Sequence, residues 1–207
     1  MTQASALIQA ADTRDLIIES AYVCFRKHGL QKATIVDIAK MAGVSRSTVY
    51  EYFRDKAAIL EACAEHASEQ FYREMSKAMD RGSSLEEKLS FAAVFVSQVR
   101  RAIASEEYFD EDAISLLLTK DAAVLLRECV DFFAPYLSAA KLTGEVRKDL
   151  DVASAGEWFG RMLFSLFSTP SSTLDLDDPD VVAEFVRAHV VRGFASDRPR
   201  PRRAVDS

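Results

Sequence analysis

At 207 residues, 49% apolar and 28% charged, the chain has the make-up of an ordinary globular protein, either one large domain or a small head with a larger body. A chain of this length buries about 70% of its unfolded surface, so its core needs no disulfide or metal staple. The net charge of −6 is unevenly spread: residues 1–60 carry eight Lys/Arg against six Asp/Glu, net +2, which leaves −8 for the remainder. A cationic first segment on an acidic chain suits a polyanion partner there and discourages indiscriminate binding elsewhere.

Several functional classes drop out early. The apolar stretches are interrupted at Lys120–Asp121 and Arg161, short of the ~20 residues of a membrane span. The opening MTQASALIQAADT lacks a basic n-region and a long apolar run, so no export signal and a cytoplasmic location are expected. Cys24, Cys63 and Cys129 stand singly, without metal-ligand spacing, and read as small core residues in a reducing compartment. His28, His66 and His189 are scattered, and neither a metal nor a cofactor is expected.

Seven glycines and five prolines are few enough to favour long helices, and an all-α fold of about nine helices is expected. In chain order, Ile17, Ala21, Cys24 and Phe25 recur at helical spacing within residues 13–28, and Gly29 supplies a stop. Thr34 is an N-cap candidate with Asp37 at the reciprocal position of a capping box, opening a short helix to about Met41. Gly43 suits a tight turn. Ser45 caps a helix to about Phe53, and Asp55 caps a long one from Lys56 to about Ala78. Helix, glycine turn and helix over 34–53 form the helix-turn-helix layout.

On the second helix of that unit, SRSTVYEYF, Arg46, Ser47, Tyr50 and Glu51 share one face, with Val49 and Phe53 opposite. Small side chains permit close approach to a phosphate-lined groove. The hydroxyls are phosphate donors, and an arginine can reach a guanine edge. The plainer alternative is an amphipathic surface helix. A serine nucleophile is disfavoured, because no G-x-S-x-G elbow and no nearby histidine accompany these serines.

The stretch TIVDIAKMAGVSRSTVYEYFRDKAAIL, with TRDLIIESAYVCFRKHGLQKAT before it, resembles the DNA-binding signature of the TetR family of transcriptional regulators. The strong resemblance covers about a quarter of the chain. It implies residues 1–54 as a three-helix DNA-binding domain and 55–195 as a larger helical effector-binding and dimerisation domain, while the proline- and arginine-rich composition of 196–207 predicts a disordered basic tail. It further implies a homodimer on a palindromic operator of double-stranded DNA. Ser45, Arg46, Ser47 and Thr48 would form the leading turn, Tyr50 and Tyr52 the aromatic phosphate contacts, and Thr34 and Lys56 backbone grips at helix N-termini. Tyr52 stands where many members have histidine. Arg46 is the candidate base reader, with a phosphate role left open; Glu51 either accepts from a cytosine amine or orients Arg46.

Further helices are expected over 85–104, with Ser84 as cap, over 113–118, and from Asp121 to Phe133, where Pro135 bends or ends the last. Leu150–Phe167 and Asp180–Phe194 complete the set. The family likeness implies that these last two pair with their copies, which puts Gly156, Gly160, Leu163, Phe167, Val182, Val186 and Val190 on the dimer seam. Two glycines one turn apart mark close helix approach, and internal packing is the competing reading. The likeness also implies an effector cavity in each body, with Phe91, Phe95, Phe109, Leu117, Phe133, Trp158 and Met162 as candidate lining. A small hydrophobic ligand, lipid-like or polycyclic, is the expected effector of a ligand-relieved repressor. Activation, gating by a protein partner, and an enzyme on a helical bundle remain as alternatives, although no nucleophile, base and orienting group can be nominated.

Overall fold

The structure, a computed structural model, describes residues 3–104, 122–190 and 193–194. Among the described residues it is all-helical: α1 (Gln3–His28), α2 (Ile35–Ala42), α3 (Arg46–Tyr52), α4 (Lys56–Met79), α5 (Leu85–Ala104), α6 (Ala122–Thr143), α7 (Val152–Ser168) and α8 (Pro179–Phe185), the last continued by a π-helical turn over Val186–Val190. The expected short helix over 113–118 and the tail from 196 lie outside the described residues.

The chain forms two compact units, Met1–Arg73 and Glu74–Ser207. The division falls within α4, later than the break expected at 54/55, because Ile59, Ala62 and Cys63 of α4 belong to the first core. There they join Ile17, Ile18, Ala21, Cys24 and Phe25 of α1, Ile38, Ala39 and Ala42 of α2, and Val49 and Phe53. Helix α1 begins at Gln3, well before the expected Thr13. Its first residues, rich in alanine, favour a helix and hold no breaker. It ends at Gly29, whose φ of +78° fits the left-handed stop, and Arg26 and Lys27 place cations on its negative end.

In the second unit α7 packs chiefly on α6 and α8 on α5. Leu89, Ala92, Ala93, Val96, Phe133, Leu137, Phe159, Leu163, Val182 and Val186 form its interior. Ser84 caps α5 as expected, accepting from the Glu87 N–H at 3.2 Å, while Glu87 accepts from both the N–H and the hydroxyl of Ser83 at 2.8 Å. Pro135 does not end α6, which runs eight residues past it to Thr143. Both Pro135 and Asp131, whose carbonyl loses its helical partner to the proline, lie on the exposed side of the helix. The helix stops at Gly144, φ +75°. The loop after α7 is pinned to α5 by the buried Ser97 hydroxyl, which donates to the Leu176 carbonyl, and by the Arg100–Asp177 ion pair.

Candidate nucleic-acid interface

The helix-turn-helix elements hold the candidate face from below. Thr34 and Asp37 form the expected capping box: the Thr34 Oγ1 accepts from the Asp37 N–H at 3.2 Å, and Asp37 Oδ2 accepts from the Thr34 N–H at 3.0 Å and its hydroxyl at 2.6 Å. The Thr34 hydroxyl and backbone bonds hold the Asp37 carboxyl below its ordinary range. Both Thr34 donors are therefore spent on Asp37. Thr34 serves as the cap of α2, and a backbone grip here would draw on the first-turn N–H groups of Ile35 and Val36 rather than on the Thr34 side chain. Gly43, φ +67°, makes the turn, with Val44 N–H bonded to the Ala39 carbonyl at 3.0 Å.

Helix α3 is anchored by Val49, fully buried, and by Phe53, over whose ring the Arg14 guanidinium lies 5.4 Å from the centroid. Two stripes remain toward solvent. Along one, Arg46 Nη2 donates to the Tyr50 hydroxyl at 3.2 Å, and the guanidinium sits 5.3 Å from that ring's centroid. Tyr50 itself is 43% exposed. Arg46 thus contacts Tyr50, one turn on, whereas the sequence had left Glu51 either to accept from a cytosine amine or to orient Arg46.

Along the other stripe, Ser45 Oγ is the hub of three bonds: the Thr48 N–H at 3.0 Å, Ser47 Oγ at 2.6 Å and Thr48 Oγ1 at 2.9 Å. A hydroxyl has two lone pairs and one proton. The Thr48 N–H takes one lone pair of Ser45, one neighbouring hydroxyl donates into the second, and the Ser45 proton goes to the remaining neighbour. One of Ser47 and Thr48 consequently keeps a free O–H. Tyr52 is only partly exposed and its ring packs on the first core, so burial competes with the phosphate contact expected of it. Lys56 Nζ donates to the Gln31 carbonyl at 3.3 Å and ties the start of α4 to the α1–α2 turn. Nothing in the sequence signals that anchor, because a backbone carbonyl carries no residue type; the Arg46–Tyr50 pair, by contrast, sits at the i,i+4 spacing that helices bring together.

The body residues separate into three places. Phe91 and Phe95 are half-buried on α5, with the Arg81 guanidinium 4.9 Å from the Phe91 centroid. Phe133 is fully buried, edge-on to Phe132 at 5.0 Å and to Phe159 at 4.9 Å, and serves as core. Trp158 is 41% exposed, edge-on to Phe194 at 5.6 Å, with half-buried Met162 one turn on. It lines an open pocket of about 370 Å³ together with Leu150, Ala155 and Phe194 and with the polar Arg147, Asp151, Ser154 and His189, a mixed lining in place of the expected aromatic cavity. Phe109 and Leu117 lie outside the described residues.

The expected seam is likewise revised. Gly156 and Gly160 are buried inside the unit, where added Cβ atoms would stand 3.2 Å from Val130 Cα and 2.9 Å from Cys129 Cβ of α6. Leu163, Val182 and Val186 are buried there too, and Phe167 is half-buried. The glycines are close-approach points between α6 and α7, so internal packing accounts for them. The backbone of Val190 lies in the π-helical turn. Among the described residues no group of three His, Cys, Asp or Glu is placed to hold a metal, and no helix is long and apolar enough to cross a membrane.

Residues 17–63 match the family model of bacterial regulatory proteins of the tetR family. The HTH-type transcriptional regulator TtgR of Pseudomonas putida is 43% identical over 54 residues, 26% of each chain, so the alignment spans only about a quarter of that relative. The fatty acid metabolism regulator protein of Bacillus subtilis is 24% identical over 174 residues, covering 81% of this chain and 87% of the relative. The crystal structure of the FadR regulator of Bacillus subtilis in complex with stearoyl-CoA superposes with a TM-score of 0.57 at 21% identity, covering 84% of this chain and 97% of the other. At that identity the superposition establishes a shared fold.

Proposed function

This chain belongs to the TetR family of bacterial regulatory proteins through its N-terminal domain, and from that premise we propose that it is a homodimeric DNA-binding repressor released from a palindromic operator by a small hydrophobic ligand. The observation that carries the DNA-binding part is α3. Its apolar residues are spent on the core, while Arg46, Tyr50 and the Ser45–Ser47–Thr48 hydroxyls face outward beside a glycine turn. In this reading Arg46 reads a base edge. Tyr50 and whichever of Ser47 and Thr48 keeps a free proton donate to phosphates, and Lys56 adds charge at the backbone.

Dimerisation uses the outward side of α7, where Glu157, Trp158 and Arg161 are exposed, in place of the glycine face already occupied by α6. A fatty-acyl ligand is the favoured effector class, supported by the stearoyl-CoA complex of the Bacillus subtilis relative. The ligand acts by population shift: it must bind more tightly the dimer geometry whose recognition helices no longer fit half-sites one helical turn, ~34 Å, apart or a multiple of it.

The test is a fluorescence-anisotropy titration of a duplex from the DNA upstream of the protein's own gene, with and without long-chain acyl-CoA, beside sedimentation of the free protein. Salt-sensitive, sequence-selective binding that acyl-CoA weakens is expected. Binding that ignores sequence removes the regulator reading, and selective binding indifferent to acyl-CoA removes the effector class alone.

A further inference from the structure

Arginine is long and flexible, and freezing its rotamers on docking costs affinity and blurs geometric selectivity. In this chain the guanidinium of Arg46 is already held, by a hydrogen bond from Nη2 to the Tyr50 hydroxyl at 3.2 Å and by its placement 5.3 Å from the ring centroid. The fit follows from the sequence, since residues four apart on a helix lie one above the other. We propose that Tyr50 is a positioning residue for Arg46, and that the base selectivity of α3 depends on the Tyr50 hydroxyl through that bond. The inference rests on the DNA-binding reading above and adds to it a specificity-determining role for a residue otherwise expected to touch only phosphate.

The donor inventory permits the arrangement. A guanidinium has five N–H groups, one of which goes to Tyr50, and the remaining four include enough for a bidentate contact with a guanine edge. The tyrosine hydroxyl accepts from Arg46 and keeps its own proton, so a phosphate bond and the positioning bond coexist. Tyr50 is exposed and belongs to no core, so removing its hydroxyl leaves the fold intact.

The experiment starts from duplexes that the full-length protein selects out of a randomised library. Affinities for the recovered duplex and its single-base variants are then measured for the wild type, Arg46→Ala, Tyr50→Phe and the double variant. The quantity read is the preference for the selected base over the others at each position, not affinity itself. Arg46→Ala should lose a preference of about 5–150-fold at one position per half-site. Tyr50→Phe, which keeps the ring, should lower the preference at that same position by about 2–12-fold. Preferences elsewhere and the melting temperature should stay unchanged, and Tyr50→Phe should add nothing in the Arg46→Ala background. An unchanged preference in Tyr50→Phe overturns the proposal even if affinity falls, as does an equal loss in the Arg46→Ala background. Failure of the wild type to enrich any sequence instead defeats the DNA-binding reading. Enrichment with no position sensitive to Arg46→Ala overturns the positioning role while DNA binding stands.

Discussion

Gly160 faces Cys129 so closely that a Cβ on the glycine would stand 2.9 Å from the cysteine Cβ and 3.3 Å from its sulfur. The opposing Cβ is fixed to the α6 backbone and cannot swing away. Gly160→Ala should therefore separate α6 from α7, with an overpacking cost of about 1–3 kcal/mol offset in part by the ~1 kcal/mol that alanine gains as a helix former. A lower urea midpoint with an unchanged association state is expected. A midpoint equal to or above that of the wild type would show that the approach is looser than described. Gly156→Ala, at 3.2 Å from Val130 Cα, should follow with a smaller loss.

Thr34→Ala should act through the fold. With both donors of Thr34 committed to Asp37, the variant should lose about 1 kcal/mol of stability while DNA affinity, measured well below the melting temperature, changes by no more than about twofold. A large affinity loss at unchanged stability would return Thr34 to the contact surface.

Among the described residues, three carboxylates at helix starts contribute acid sensitivity. Asp37 is lowered by the Thr34 hydroxyl and N–H, Glu87 by the Ser83 N–H and hydroxyl, and Asp151, the N-cap of α7, by the N–H and then the side chain of Ser154. A folded-state pKa below the unfolded one gives stability that is fully present above the ordinary carboxyl range, roughly pH 4, and lost as pH falls through the lowered values. Unfolding free energy should thus be level near neutrality and drop under acid. The combined Asp37→Asn, Glu87→Gln and Asp151→Asn variant should be less stable at pH 7 and show a shallower acid slope. An identical slope would mean that these caps do not set it.

The thiols should be silent in the native protein. Cys24, Cys63 and Cys129 are all buried. Burial pushes the Cys63 thiol up to about 11, and it donates to the Ile18 carbonyl at 3.5 Å. Iodoacetamide at mildly alkaline pH should label these cysteines only after denaturant is added, since the thiolate is the nucleophile. Mass spectrometry that finds Cys63 alkylated in native buffer at the rate of a free thiol would contradict this placement.

The N-terminal unit was readable because its signals are local: the Thr34–Asp37 box, the Gly43 turn, the Ser45 cap and the Val49 and Phe53 anchors each depend on neighbours within a few positions. The body was less so. Pro135 reads as a break, yet its helix continues on an exposed face to Thr143, and a residue pattern does not say which face a proline will take. Gly156 and Gly160 announce a close approach but not which helix approaches. Nearly every residue of VASAGEWFGRMLF is apolar or small, so periodicity does not reveal that Phe159 and Leu163 face the interior while Trp158 faces out. The hydroxyl chain around Ser45 and the Lys56–Gln31 tie depend on rotamers and backbone atoms, which a residue pattern does not encode.

Trp158 is the sole tryptophan of the chain, and its partly exposed ring lines the open pocket against Phe194. The protein therefore carries a built-in optical probe whose entire indole signal comes from one place. A water-exposed indole emits to the red and is quenched by acrylamide. When a second copy or a ligand covers that ring, the emission should move to the blue and the quenching fall, so association on this surface can be followed in unlabelled, unmutated protein.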